Sequence, residues 1–291
     1  MKTGILGPLD KELKNLLRFY QKNNILFYNS AEESTSSSKE LFTLDTNEAL
    51  FEKSDIIIYT LESFQQDNLI EEIIKHGCHL LLYKPFPGDT EKIKHFFKLA
   101  NESETLIELN NSLLFTRTNQ ETLKHISKPL LIQTENNFSQ HPGEKQLFQA
   151  LYQNMSFVQQ FIQDDFKKIQ IIQPENQLDK TLFLQVRLDF RQKTYALITL
   201  NCLRGENSLK TSIIADDINL DLDFVKNKIR FYLHNPVDTN VSETKTLKNN
   251  VIEEMISQFM STCENKNNYL NFNNNTYRSW INTMEIWNQF K

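Results

Sequence analysis

The sequence predicts an α/β protein of two domains: an N-terminal parallel sheet with helical crossovers, then an α+β domain on a large open, mainly antiparallel sheet. Three observations predict it. Over the first 120 residues, short apolar runs alternate with amphipathic helical patterns, as parallel strands joined by right-handed crossovers require. Beyond residue 128, strand-like segments follow one another closely, with a single long helical stretch among them. The chain has 291 residues, enough for two domains of ordinary size. We place these at 1–120 and 121–291, with the last helices free to pack back on the first domain.

Thr3–Leu6 is the first strand candidate, and Asp10–Lys22 carries Leu13, Leu16, Leu17 and Tyr20 at helical spacing. Asn24–Tyr28 is a second apolar run, followed by a polar loop over Ser30–Ser38. Asn47–Lys53 has the pattern of a short helix. Asp55–Thr60, with three consecutive isoleucines, suits a strand buried on both faces. A helix over Asp67–His76 closes at Gly77; His79–Tyr83 is another buried strand, Thr90–Asn101 a helix and Thr105–Asn110 a strand. This order is that of a Rossmann-type domain.

In the second half, Pro129–Phe138 is strand-like and Glu144–Gln163 one long helix. Phe166–Gln173, Thr181–Phe190, Thr194–Cys202, Leu209–Ala215 and Ile218–Leu222 follow as strands, with Val225–Leu233 extending the sheet. Arg191-Gln192 and Arg204-Gly205 fall where hairpin turns belong. Helices over Leu247–Cys263 and Tyr277–Phe290 flank an Asn-rich loop, Lys266–Asn275. Trp280, Trp287 and Phe290 have the helical spacing of a packed face.

Net charge is −5, which argues against nucleic-acid binding, since phosphate recognition needs a basic face. The N-terminal apolar stretch meets Asp10 too soon for a signal-peptide core, and no apolar run approaches the roughly 20 residues of a membrane span. Cys78, Cys202 and Cys263 are far apart and odd in number, as in reduced thiols, so the expectation is a cytoplasmic protein without a metal site. His76 and His79 flank Cys78, but the spacing supplies no third ligand. Only 6 glycines occur, about 2% against a usual ~7%. Glycines needed for unusual backbone geometry resist replacement, so the missing ones carry information.

Lys75-His-Gly-Cys-His79, leading into Tyr83-Lys84-Pro85, resembles the helix end and Glu-Lys-Pro strand end of the glucose–fructose oxidoreductase / inositol dehydrogenase / MocA (Gfo/Idh/MocA) family. Ser54–Thr60 is similar to the strand that precedes them in that family, Ile213–Leu222 to its hairpin, and Asn250–Phe259 to its late helix. The similarities run through nearly the whole chain in order. The resemblance implies an NAD(P)-dependent oxidoreductase acting on a sugar or cyclitol, with Lys84 as acid/base. It implies cofactor contacts at Gly7, Asn29, Thr60, Lys84 and Pro85, and a homodimer formed through the C-terminal sheet. In that sheet Leu182, Leu184, Val186 and Leu188 line one face by period-two alternation.

Several positions depart from the family's pattern. A dinucleotide turn needs Gly-x-Gly-x-x-Gly so that backbone N–H groups reach the pyrophosphate. Here it reads Gly7-Pro8-Leu9-Asp10-Lys11-Glu12: one glycine, a proline without a donor and two acids beside an anion site. Asn29 stands for the ribose-binding acid, Tyr83 for the glutamate before the lysine, and Leu61-Glu62 for Pro-Asn after Thr60. On the long helix, Gln149, Gln153 and Ser156 stand in place of the family's Asp, His and Asp, and a glutamine exchanges no proton near neutral pH. His141-Pro142 lies in the loop before it. The sequence therefore predicts a degenerate member: NAD or NADP binding is lost in its usual mode, and the shell serves as a non-catalytic scaffold, partner subunit or binder of a small sugar-like ligand.

Overall fold

The computed structural model describes residues 1–8, 13, 26–29, 42–43, 46–61, 67–172, 183–202, 204–233, 242–246, 251–265 and 269–290. The expectations for Leu9–Glu12, for the loop Ser30–Ser38, for Leu182 and for most of the first helix lie outside these residues. The chain divides into two compact units, Met1–Asn110 with Ile252–Ile281, and Asn111–Val251 with Asn282–Lys291.

The first unit holds a six-stranded sheet of β1 (Thr3–Leu6), β2 (Leu26–Asn29), β3 (Phe42–Thr43), β4 (Ile56–Tyr59), β5 (His79–Leu82) and β6 (Ile107–Leu109). Its order is β3-β2-β1-β4-β5-β6, and every pairing is parallel. β1, β4, β5 and β6 are buried along their whole length, as a sheet covered on both faces demands. Helices α1 (Asn47–Lys53), α2 (Asp67–Lys75) and α3 (Thr90–Glu102) are the crossovers. Caps fix where two of them begin: Thr46 accepts from Ala49 N–H, and Asp89 accepts from Glu91 and Lys92 N–H. β1 lies so close to α1 that a Cβ on Gly4 would stand 2.5 Å from Ser54 Oγ.

The second unit holds an eight-stranded sheet: β7 (Pro129–Asn137), β8 (Phe166–Ile172), β9 (Phe183–Phe190), β10 (Tyr195–Asn201), β11 (Ser208–Ala215), β12 (Ile218–Asp223), β13 (Lys228–Leu233) and β14 (Ser242–Thr246). The order is β14-β13-β12-β11-β7-β10-β9-β8. Only β7 and β10 pair in parallel, the other contacts being antiparallel. Helix α4 (Arg117–Thr122) and a 3-10 turn over Ser112–Phe115 precede the sheet, and α5 (Glu144–Phe161) packs on β7 and β10. Leu184, Val186 and Leu188, which alternation places on one face of the sheet, are fully buried within this unit's core. Burying each releases about 1.5–3 kcal/mol, so an apolar row of this kind turns inward. The open face of β9 presents Phe183, Gln185, Arg187 and Asp189.

Helices α6 (Val251–Glu264) and α7 (Tyr269–Phe290) complete the chain. The Asn-rich stretch expected to be a loop is helical from Tyr269 onward. Its asparagines have poor helix propensity, but tertiary contacts override it: Tyr269 packs edge-on against His79, and Asn273 hydrogen-bonds β6. Trp280 packs on Phe86 and Phe97 in the first unit, and Trp287 on Phe148 in the second. Both indoles are core. Among the described residues no helix is long and apolar enough to cross a membrane.

Candidate functional site

One cross-strand row organises the C-terminal edge of the parallel sheet. Asn29, Leu6, Tyr59, Leu82 and Leu109 are successive register partners on β2, β1, β4, β5 and β6. Gly7, Thr60, Tyr83 and Asn110 are the next residues on their strands, so four of the five positions expected in a cofactor site, Gly7, Thr60, Lys84 and Pro85, leave the sheet at this edge. The fifth, Asn29, ends β2 itself. The change of direction in strand order falls between β1 and β4, the position at which open α/β sheets bind ligands.

Gly7 has φ +113°, a backbone state that L side chains rarely adopt. A Cβ there would stand 2.6 Å from Thr60 Oγ1 and 3.0 Å from the Leu61 side chain. Thr60 is held in turn, its N–H donating to Leu6 O (2.9 Å) and its hydroxyl to the same carbonyl (3.2 Å). Gly7 is thus demanded by the packing of one strand end on another. Pro8, exposed, follows with no N–H to give.

Lys84 is half-buried in the turn after β5, with Pro85 buried behind it. Tyr83 N–H donates to Tyr59 O (2.9 Å), and Asn110 Nδ2 donates to Tyr83 O (2.9 Å), which fixes the peptide that carries Lys84. Sequence reasoning missed Asn110. Its Oδ1 is buried without a hydrogen-bond partner among the described residues, and the only signal was an asparagine closing an apolar strand.

The helix expected to carry catalytic groups is α5. Gln149 and Gln153 are half-buried and Ser156 buried. Gln153 Nε2 donates to Ser112 Oγ (3.3 Å), and Gln160 Oε1, two turns on, accepts from Asn119 Nδ2 (2.9 Å). This face is neutral throughout; its amides and hydroxyls hydrogen-bond but do not carry protons near pH 7. His141 is exposed before the helix. Asn111, fully buried, has neither amide atom paired among the described residues.

Cys78, His76 and His79 hydrogen-bond backbone groups. Cys78 Sγ donates to Phe51 O (3.3 Å) and Ser54 O (3.1 Å), and burial pushes this thiol up to about 11. His79 Nδ1 accepts from Leu106 N–H (3.1 Å), and His76 Nδ1 lies 2.8 Å from Glu72 O. No group of three metal-ligating side chains occurs among the described residues.

Against a nicotinamide dinucleotide, these residues fit in part. The Gly7 and Thr60 strand ends flank the change in strand order, where open α/β sheets bind ligands. The start of the phosphate turn fits less well, because Pro8 lacks an N–H donor of the kind a diphosphate takes from such a turn.

No protein-family model matches the chain, nor does any curated protein sequence. Solved structures do. The chain is similar over 98% of its length to UDP-N-acetylglucosamine 3-dehydrogenase GnnA from Acidithiobacillus ferrooxidans, with TM-score 0.86, 14% identity and 96% of that chain covered. It is similar over its full length to a Gfo/Idh/MocA family oxidoreductase from Vibrio cholerae (TM-score 0.80, 11% identity, 99% of that chain). A third similarity, over 96% of both chains, is to biliverdin reductase from Synechocystis in complex with biliverdin and NADP+ (TM-score 0.70, 12% identity). The chain has the fold of these oxidoreductases.

Proposed function

We propose that this protein keeps the two-domain fold of a Gfo/Idh/MocA-type oxidoreductase but has given up nicotinamide chemistry, and serves as a non-catalytic binder of a small, neutral, hydroxyl-rich ligand. The observation that carries it is the first turn: after Gly7 the sequence reads Pro8-Leu9-Asp10, with no N–H on Pro8 and no second glycine to let backbone approach a diphosphate. The neutral amide face of α5 supports it, since it suits hydroxyl groups and holds no acid or base. A homodimer through the open face of the eight-stranded sheet belongs to the same proposal.

Calorimetric titration of the purified protein with NADH and NADPH tests this. The expected result is no binding at micromolar cofactor. A micromolar Kd for either would overturn the proposal.

A second reading has one observation in its favour. Lys84-Pro85 is retained at the C-terminal end of β5, at the same sheet edge as the Gly7 and Thr60 strand ends. On that reading the protein is an NAD(P)-dependent oxidoreductase of a sugar or cyclitol, and Lys84 is the acid/base. It requires cofactor binding in the same titration, and a turnover that Lys84→Met abolishes while cofactor affinity stays within a few-fold.

A further inference from the structure

One edge of the parallel sheet is β6, the last strand in its order among the described residues. Edge strands expose unpaired N–H and C=O groups and need cover. Here α7 supplies it with one side chain that imitates a strand. Ile107 N–H donates to Asn273 Oδ1 (3.0 Å), and Asn273 Nδ2 donates to Thr105 O (2.9 Å) and to Asn101 Oδ1 (2.9 Å). One turn further along α7, Thr276 Oγ1 donates to Glu108 Oε2 (3.2 Å). Glu108 is the central residue of β6 and is buried, with Leu81 of β5 as its register partner on the inner side.

We propose that the first part of α7, Tyr269–Ile281, is a proton-controlled latch on this edge: seated while the Glu108 carboxyl is protonated, and released from β6 when it ionises.

Hydrogen bonds from Thr276 and the Leu109 backbone compensate the carboxylate only in part. The titratable group facing Glu108 from α6 is the buried Cys263 thiol, and α7 offers the neutral Thr276 hydroxyl. Glu264 acts on Cys263, and Cys263 and Glu104 act on Tyr269, whose hydroxyl donates to Cys263 O. These neighbours are acids or neutral groups. Burial is the largest influence on Glu108 and raises its carboxyl to about 8, against the lowering effect of Thr276 and the Leu109 backbone. When α7 lifts, water reaches the carboxyl and its affinity for the proton falls to the ordinary value. The sign follows by linkage: the folded, latched state holds more protons between the ordinary value and about 8, so latching is complete at acid pH and is lost as pH rises through that window. Opening should become about a hundredfold more frequent between pH 6 and pH 9.

Amide hydrogen exchange on the whole protein tests this, each rate being divided by the rate of an unstructured peptide at the same pH. Protection of Ile107 and of α7 amides up to Ile281 is expected to fall about a hundredfold from pH 6 to pH 9, while β1 and β4 hold theirs. Glu108→Gln keeps the shape and hydrogen bonding without the charge, and its protection should be flat over the same range. Equal pH dependence in both proteins, or none in either, would overturn the latch. Side-chain carbon NMR of the unsubstituted protein is a second readout: a Glu108 carboxyl titrating at the ordinary glutamate value sinks the proposal whether or not Glu108→Gln folds.

Discussion

Gly7 shows how much one residue settles. The residue is read from sequence as the remnant of a phosphate turn, and it does end β1 where such a turn begins. Its backbone, at φ +113°, and the 2.6 Å that would separate an added Cβ from Thr60 Oγ1 give it a packing reason independent of any cofactor. Gly7→Ala should therefore destabilise the fold by about 2 kcal/mol, from strained backbone and the displaced Thr60 together, measured by urea denaturation without cofactor. A change below about 0.5 kcal/mol would return Gly7 to a purely ligand-directed role. At this scale the site was half legible. Thr60, Lys84 and Pro85 could be placed because strand ends follow from the apolar runs themselves. Asn110 could not, since its bond to Tyr83 O spans 27 residues and exists only because β5 and β6 are neighbours.

Elements were legible where period and burial agree. Asn47–Lys53 and the core strands β1, β4 and β5 lie where their apolar patterns put them, within a residue at each end. The start of α7 was not legible, because Asn-rich sequence argues for a loop and only contacts distant along the chain make it a helix. Those contacts concentrate on Asn273, buried to 1% exposure. Asn273→Ala would strand Ile107 N–H and Thr105 O at the sheet edge, and each unpaired buried group costs about 1–3 kcal/mol. We expect a loss of about 2–4 kcal/mol in urea denaturation. Asn274→Ala, on an exposed position of the same turn, should change stability by less than about 0.5 kcal/mol, or slightly improve it through helix propensity. Equal effects from the two would mean that α7 is held by its apolar face alone.

At the level of the whole molecule, the open sheet face bears on assembly. Period-two alternation put Leu184, Val186 and Leu188 of β9 on one face, and the fold keeps that face, with Phe190, for its own core. What remains outside is a row of register partners of alternating sign, Glu135, Lys210, Asp223 and Lys228 on β7, β11, β12 and β13. Beside it lie Gln133, Ser212, Asp221 and Arg230, with Ser212 Oγ donating to Asp221 Oδ1 (2.7 Å). Tyr195 and Ile214, both more than a third exposed, add apolar area. A row of four alternating charges becomes its own complement when reversed. A twofold axis lying in the interface, across the row, therefore sets Glu135 against the partner's Lys228 and Lys210 against the partner's Asp223. Such complementarity contributes more to register and specificity than to raw affinity. A homodimer built this way should appear in light scattering at micromolar concentration and weaken as salt screens the row. Asp223→Lys would place like charges in apposition twice across the axis and should yield a folded monomer with an unchanged circular dichroism spectrum. A dimer indifferent to both salt and Asp223→Lys would have to be held by another surface, and an unsubstituted protein that is monomeric throughout would remove the dimer altogether.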